Sequence, residues 1–177
     1  MGDIRPTSPV MLIVAAFSRH SAALDWAQQR ATETWGTTAL ASDRFDFRET
    51  DYYEPTMGAE IKKTFWAFNG LIAPERLVEI KLLTNALEEE YAALGRHPEA
   101  RPLNLDPGYL TNAKLVLAST KDHAHRIYLD RGIFAEVTLH YSHGAWQPRD
   151  WTFPDYRRAD YHAFFTQCRD ELRRRSN

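Results

Sequence analysis

The sequence offers a single cysteine, Cys168, so no disulfide can form within the chain. Packing must hold the fold, as expected in a reducing compartment. Net charge is also scarce: 22 Lys and Arg stand against 24 Asp and Glu, a formal −2. That argues against a wholesale nucleic-acid coat and leaves only a local basic patch open. No apolar run is long enough to cross a bilayer. The opening "MGDIRPTSPVMLIVAAF" has a short apolar run behind two prolines and no basic n-region, so it is not read as a signal peptide. Pro6 fills the slot where a myristoylation signal needs Ser or Thr. A cytoplasmic protein without membrane contact is expected. Phosphate-cradling motifs are missing, both G-x-x-x-x-G-K-[ST] and G-x-G-x-x-G, as are G-x-S-x-G and H-x-x-x-H. His123 and His125 have no Cys or spaced His partner, so no metal site is expected.

What is present is ordinary globular material, 44% hydrophobic and 26% charged, of a length that suits one domain over residues 1–177. "VMLIVAAFS" reads as a strand covered on both faces. Ser21 offers a cap to a helix that Gly36 ends. "ALASDRFDFRE" and "EIKKTFWAFNGLI" read as strands, with "TDYYEPTMG" a loop between them. Pro74 opens a second helix that Gly95 stops. "RPLNLD" is a short strand, Pro107-Gly108 a turn, and "YLTNAKLVLAST" a helix capped by Thr111. Two hairpins follow, through Asp130-Arg131-Gly132 and His143-Gly144. A last helix, about Arg158 to Arg174, sets Tyr161, Phe164, Phe165, Cys168 and Leu172 on one stripe. In that setting Cys168 is either a packed small hydrophobe or a nucleophile. The fold class is α+β: an antiparallel-rich mixed sheet with helices on one face. Its βαββαβ core is ferredoxin-like, extended by the short helix, two hairpins and a C-terminal helix.

The stretches "FRETDYYEPTMG", "LVEIKLLTNALEEEY", "LNLDPGYLTNAKLVLASTK", "HRIYLDRGIFAEVTLHY" and "WTFPDYR" together resemble the bacterial domain-of-unknown-function family 4416. The resemblance spans nearly the whole chain. It implies no activity and no cofactor.

Several groups of residues bear chemistry. On the second helix, Lys81, Thr84 and Glu88 lie at the edge of the apolar arc. They form either a surface Lys–Glu pair or a polar stripe facing a cleft. Asn104, Asp106 and Tyr109 either shape a strand-to-helix turn or face a ligand. Lys114 follows the Thr111 cap, and Lys121 lies just past that expected helix, where a cation suits its dipole. A three-residue hairpin loop would set Leu129 opposite Ile133 and Ile127 opposite Ala135, with Arg126 beside Glu136. That pair is a cross-strand ion pair or, over a cavity, an anion clamp with its orienting carboxylate. Asp51 and Tyr53 sit on the tyrosine-rich loop, where Tyr52 and Tyr53 either bracket a planar ring or cover the core. Asp51 and Glu54 could join other carboxylates on Mg²⁺, although no spacing rule selects them.

These residues support a domain that binds, or acts on, a small anionic or nucleotide-like ligand. Lys81, Lys114, Lys121 and Arg126 would supply positive charge, Asp106 or Glu136 the acid or base, and Tyr53 or Tyr109 the positioning. Removing Arg126 or Lys121 is then expected to weaken anion binding and leave the fold nearly intact. The alternative is a non-catalytic binding or regulatory module, a homodimer included, whose feature is five tryptophans and the off-arc Val78 and Leu82. RNA binding is a third reading, carried only by the basic closing "RDELRRRSN".

Overall fold

The computed structural model describes residues 2–3 and 6–175. Strand β1 (Val10–Ser18) is buried at every position, as its unbroken apolar run requires. Helix α1 (Ser21–Trp35) follows, with Ala23, Leu24, Ala27 and Ala31 turned inward. Its cap position is His20, whose side chain makes no capping bond, so Ser21 is the first helical residue and not the cap. The strand expected after Gly36 breaks into β2 (Thr38–Ala41) and β3 (Phe45–Asp46). The tyrosine loop holds a four-residue helix, α2 (Glu54–Met57), before β4 (Lys62–Ile72). A 3₁₀ turn at Pro74–Arg76 leads into α3 (Leu77–Ala93).

Behind α3 the chain departs most from what its sequence suggests. Pro107-Gly108 is no turn; both residues lie inside β5 (Asn104–Leu110). The helix expected behind Thr111 is strand β6 (Lys114–Ser119). Thr111 Oγ1 does accept the N–H groups of Ala113 and Lys114, at 3.1 and 3.0 Å, but it closes a β-turn and not a helix start. Gly108 serves close approach, because a Cβ there would overlap the carbonyl oxygen of Val116.

Strands β7 (Ile127–Asp130), β8 (Ile133–Ser142) and β9 (Ala145–Pro148) form the two hairpins. Ile127 faces Ala135 and Tyr128 faces Phe134, as expected, but Asp130 and not Leu129 stands opposite Ile133. The loop is a two-residue turn, Arg131 at φ 48° and Gly132 at φ 76°, and an irregularity at Leu129 restores the register. The second hairpin turns on His143 and Gly144, both at positive φ. After a 3₁₀ turn at Pro154–Arg157, α4 (Ala159–Arg175) buries Tyr161, Phe164, Phe165, Cys168 and Leu172.

All nine strands join one sheet, and every strand pair among the described residues is antiparallel. The main path runs β2-β4-β1-β5-β6-β8-β7, with β3 beside β4 and β9 beside β8. Helices cover both faces, not one. On the back, α1 and α3 pack on Val10, Leu12, Val14 and Ala16 of β1. On the front, α4 packs on Met11, Ile13 and Ala15. An all-apolar central strand demands this second layer, since a bare face would leave its side chains in water. Val78 and Leu82 of α3 meet β6 and β8 through Val116, Ala118 and Ile133, so their off-arc positions serve this sheet. Among the described residues no helix is long and apolar enough to cross a membrane.

Candidate functional site

The sheet is not continuous. β5 pairs with β6 only from Gly108 to Leu110. Toward Asn104, β5 stays with β1, whereas β6 stays with β8 as far as Ser119. The two strands part, and a cleft of about 840 Å³ opens beside the split. Helix α3 repairs the exposed backbone. Glu88 Oε1 accepts the Leu105 N–H at 2.7 Å, and Lys81 Nζ donates to the Leu105 carbonyl at 3.0 Å. Lys81 and Glu88 therefore do not pair with each other; they replace the missing strand. An unpaired buried backbone group would otherwise cost about 1–3 kcal/mol. Pro107 lies two residues along with the same orientation, and it has no N–H to leave unpaired.

The β5 wall is acidic at its centre. Lys81 Nζ lies 3.2 Å from Asp106 Oδ1. Burial alone would raise the Asp106 pKa, but Lys81 and Lys63 outweigh it and hold the carboxyl below the usual aspartate value. The Asn104 amide leans on the same carboxylate without a hydrogen bond of ordinary geometry. Burial pushes the Glu88 pKa above the usual glutamate value, against the pull of Lys81 and the Leu105 N–H.

The facing wall is built on β6 and β8. Arg126 Nε meets Glu136 Oε2 at 2.8 Å, with side chains only 4% and 2% exposed. His125 and Thr138 bond the same carboxylate, each at 3.1 Å. Arg126 Nη1 donates to Ser119 Oγ at 2.7 Å and to the Lys121 carbonyl at 3.0 Å. Among the described residues Nη2 makes no hydrogen bond, and Lys121 has no carboxylate partner. The Lys121 ammonium rests on Tyr52, 2.7 Å from the hydroxyl and 4.3 Å from the ring centre.

The third side carries a buried ion pair, Lys63 with Asp155 at 2.7 Å. Phe17 and Tyr156 offer ring faces to that ammonium at 5.0 and 4.4 Å. The Tyr156 hydroxyl is buried with no hydrogen bond among the described residues, and burial together with Asp155 drives its pKa well up. Tyr52 and Tyr53 are perpendicular, at 89°, so they do not bracket a ring. Tyr53 covers Phe17, edge to face, and Tyr52 stays 62% exposed.

Most of the residues singled out from the sequence line this cleft, though Thr84 and Glu54 do not. Three further ones also lie outside it. Asp51 is exposed on the loop outside it. Tyr109 packs on the back of the sheet, since its partners in register are Leu12 and Val116. Lys114 starts β6 at the far end, exposed and opposite His140. Lys63 and Asp155 also line the cleft and were not expected from the sequence. Lys63 shares strand parity with Phe65 and Ala67, and that period was the available signal. Asp155 had none, because its partner lies 92 residues away. Five Lys or Arg side chains and six carboxylates line the cleft, so it has no bulk positive excess. Among the described residues no His, Cys, Asp and Glu side chains group to hold a metal ion. No curated protein and no solved structure matches this chain. A family model does match, the domain of unknown function DUF4416, over residues 8–172, and the chain belongs to that family.

Proposed function

We propose that this protein binds a small ligand bearing an anionic group in the cleft between β5 and β6. One observation carries the reading. Arg126 is buried and fixed by Glu136, Ser119 and the Lys121 carbonyl, yet among the described residues Nη2 makes no hydrogen bond, and Lys121, which lines the same cleft, has no carboxylate partner. A guanidinium held in place loses little freedom on binding, and its free donors suit an oxyanion. Glu136 acts as the orienting carboxylate, because both of its oxygens are already bonded. Asp106 is the group an acid–base step would use, being held charged in the same cleft. The order β2-β4-β1-β5, with α1 and α3 as crossovers, supports a ferredoxin-like core around this site.

Thermal melts with phosphate, sulfate and pyrophosphate test the reading. An anion at 100 times its dissociation constant adds about 2.7 kcal/mol to stability. The Lys121→Ala variant should melt like wild type without anion and lose most of the shift with it. Melts that neither these anions nor a carboxylate-bearing small molecule moves, or a Lys121→Ala response equal to wild type, would sink the reading.

Edge strand β7 favours a second reading, a module that pairs with another copy of itself. Ile127 and Tyr128 are 74% and 58% exposed there, and an open apolar edge invites strand addition. Sedimentation should then show a dimer that Ile127→Lys dissociates; a monomer at high concentration removes this reading.

A further inference from the structure

The unused bonding capacity of the cleft is divided between its two walls. On the β6 wall the spare groups are donors: Arg126 Nη2, which makes no hydrogen bond among the described residues, and the Lys121 ammonium, which donates to Tyr52 and keeps two further N–H groups. On the β5 wall Asp106 takes, among the described residues, a single hydrogen bond of ordinary geometry, from Lys81, and keeps further lone pairs. Both sets line the one cleft. Gly108 stands opposite Leu117, so continued pairing would have brought Asp106 opposite Ser119, the residue that holds Arg126. They do not join directly, because Arg126 is committed to Glu136 and Asp106 to Lys81.

Resting on the binding function proposed above, we infer that the ligand is a small zwitterion of short-peptide size. Its acid end bonds Arg126 and Lys121, and its ammonium end bonds Asp106. A multiply charged anion fits less well, since it would lie among six carboxylates as well as five cations; a zwitterion meets both signs. The volume, about 840 Å³, lies within the range for drug-sized ligands. Tyr52 and Phe153, 62% and 48% exposed, line the same cleft and offer apolar contact to the middle of such a molecule. The charge that Lys81 and Lys63 preserve on Asp106 gives an ammonium its partner at neutral pH.

Calorimetry on the full chain separates the two ends. The probes are the tripeptide Gly-Phe-Gly, its N-acetylated form, its C-amidated form, and inorganic phosphate. The free tripeptide should bind at least about tenfold tighter than either capped form, the effect of one lost charged contact. Asp106→Asn should erase the difference between the free and N-acetylated peptides. Lys121→Ala should narrow the difference between the free and amidated ones. If Asp106→Asn does not fold, the capped series on wild type decides alone. Equal binding of the free and N-acetylated peptides, or binding of phosphate alone, overturns the zwitterion and leaves the anion site standing. Equal binding of the free and amidated peptides removes the acid end and overturns the zwitterion too. If neither the peptides nor phosphate bind, both proposals fall.

Discussion

The front of the sheet has two ends made by the same strands, and they are built in opposite ways. At one end Met11, Ile13, Ala67, Leu110, Leu115 and Leu139 form an apolar floor sealed by α4. At the other, Lys63, Asn104, Asp106 and Glu136 face inward, and all but the half-buried Asp106 are more than nine-tenths covered. β5 and β6 are hydrogen-bonded at the first end and parted at the second. Strand pairing here follows apolar cover. Where charge faces in, the sheet yields space and hands the Leu105 backbone to two side chains of α3. Burying charge costs free energy unless each group is paired, so the second end is the place where a purpose other than stability is expected.

The largest predicted effect tests the sealed end. Phe165 is fully buried and packs against Phe65 at 5.1 Å between ring centres. Phe165→Ala should lower unfolding free energy by about 3–5 kcal/mol in urea titrations. A loss under about 1 kcal/mol would show that α4 is not the closing layer.

At the open end, Arg126→Ala should cost about 3 kcal/mol, because it strands the buried Glu136 carboxylate. This corrects the sequence-based expectation that Arg126 could be removed quietly; only exposed Lys121 has that property. The pair variant Arg126→Met with Glu136→Leu should regain more than half of the loss, since it leaves no uncompensated charge. If the pair variant is no more stable than Arg126→Ala, charge pairing is not what holds this wall.

Between the ends stands the fork. Gly108→Ala should cost about 1–3 kcal/mol, because the overlap is with backbone that no rotamer change relieves. An unchanged melt would mean that the hairpin can splay further without loss, and the contrast between the ends would then be one of degree.

How far the sequence could be read follows the same division. β1, the stripe of α4 and the His143-Gly144 turn depend on neighbours in the chain, and period and turn chemistry reported them well. Pro107-Gly108 misled because the pair is a turn signal in isolation. Here the proline fits where a partner strand leaves, and the glycine fits where Val116 comes close. Thr111 misled because one hydroxyl pattern serves helix caps and tight turns alike. "KLVLAS" is apolar on both faces, so its period could not separate strand from helix. Lys81 and Glu88 were visible as an edge stripe, but their task was not, because it depends on Leu105 having lost a strand partner. Arg126 with Glu136 was legible because hairpin register is local.

The smallest effect concerns Glu88, and it separates the ends by pH. Burial raises the Glu88 pKa in the folded chain, so the folded state holds that proton more tightly than the unfolded one. Between the ordinary glutamate value and the raised one, folding takes up a proton. Stability from this group therefore falls as pH rises through that window and is flat above it. Asp106 has the opposite sign: its lowered pKa gives stability that is present above the ordinary aspartate value and lost as pH falls toward the folded one. Glutamine at position 88 keeps an oxygen for the Leu105 N–H, so Glu88→Gln should lie within about 1 kcal/mol of wild type at neutral pH. Its pH course should differ: wild type gains on Glu88→Gln as pH falls through the window. Phe165→Ala removes no titrating group, so its offset from wild type should hold nearly constant over the same range. Urea titrations of the three proteins at several pH values settle the matter. If the Glu88→Gln offset is as flat as that of Phe165→Ala, the open end carries no raised carboxyl, and the electrostatic half of the contrast fails.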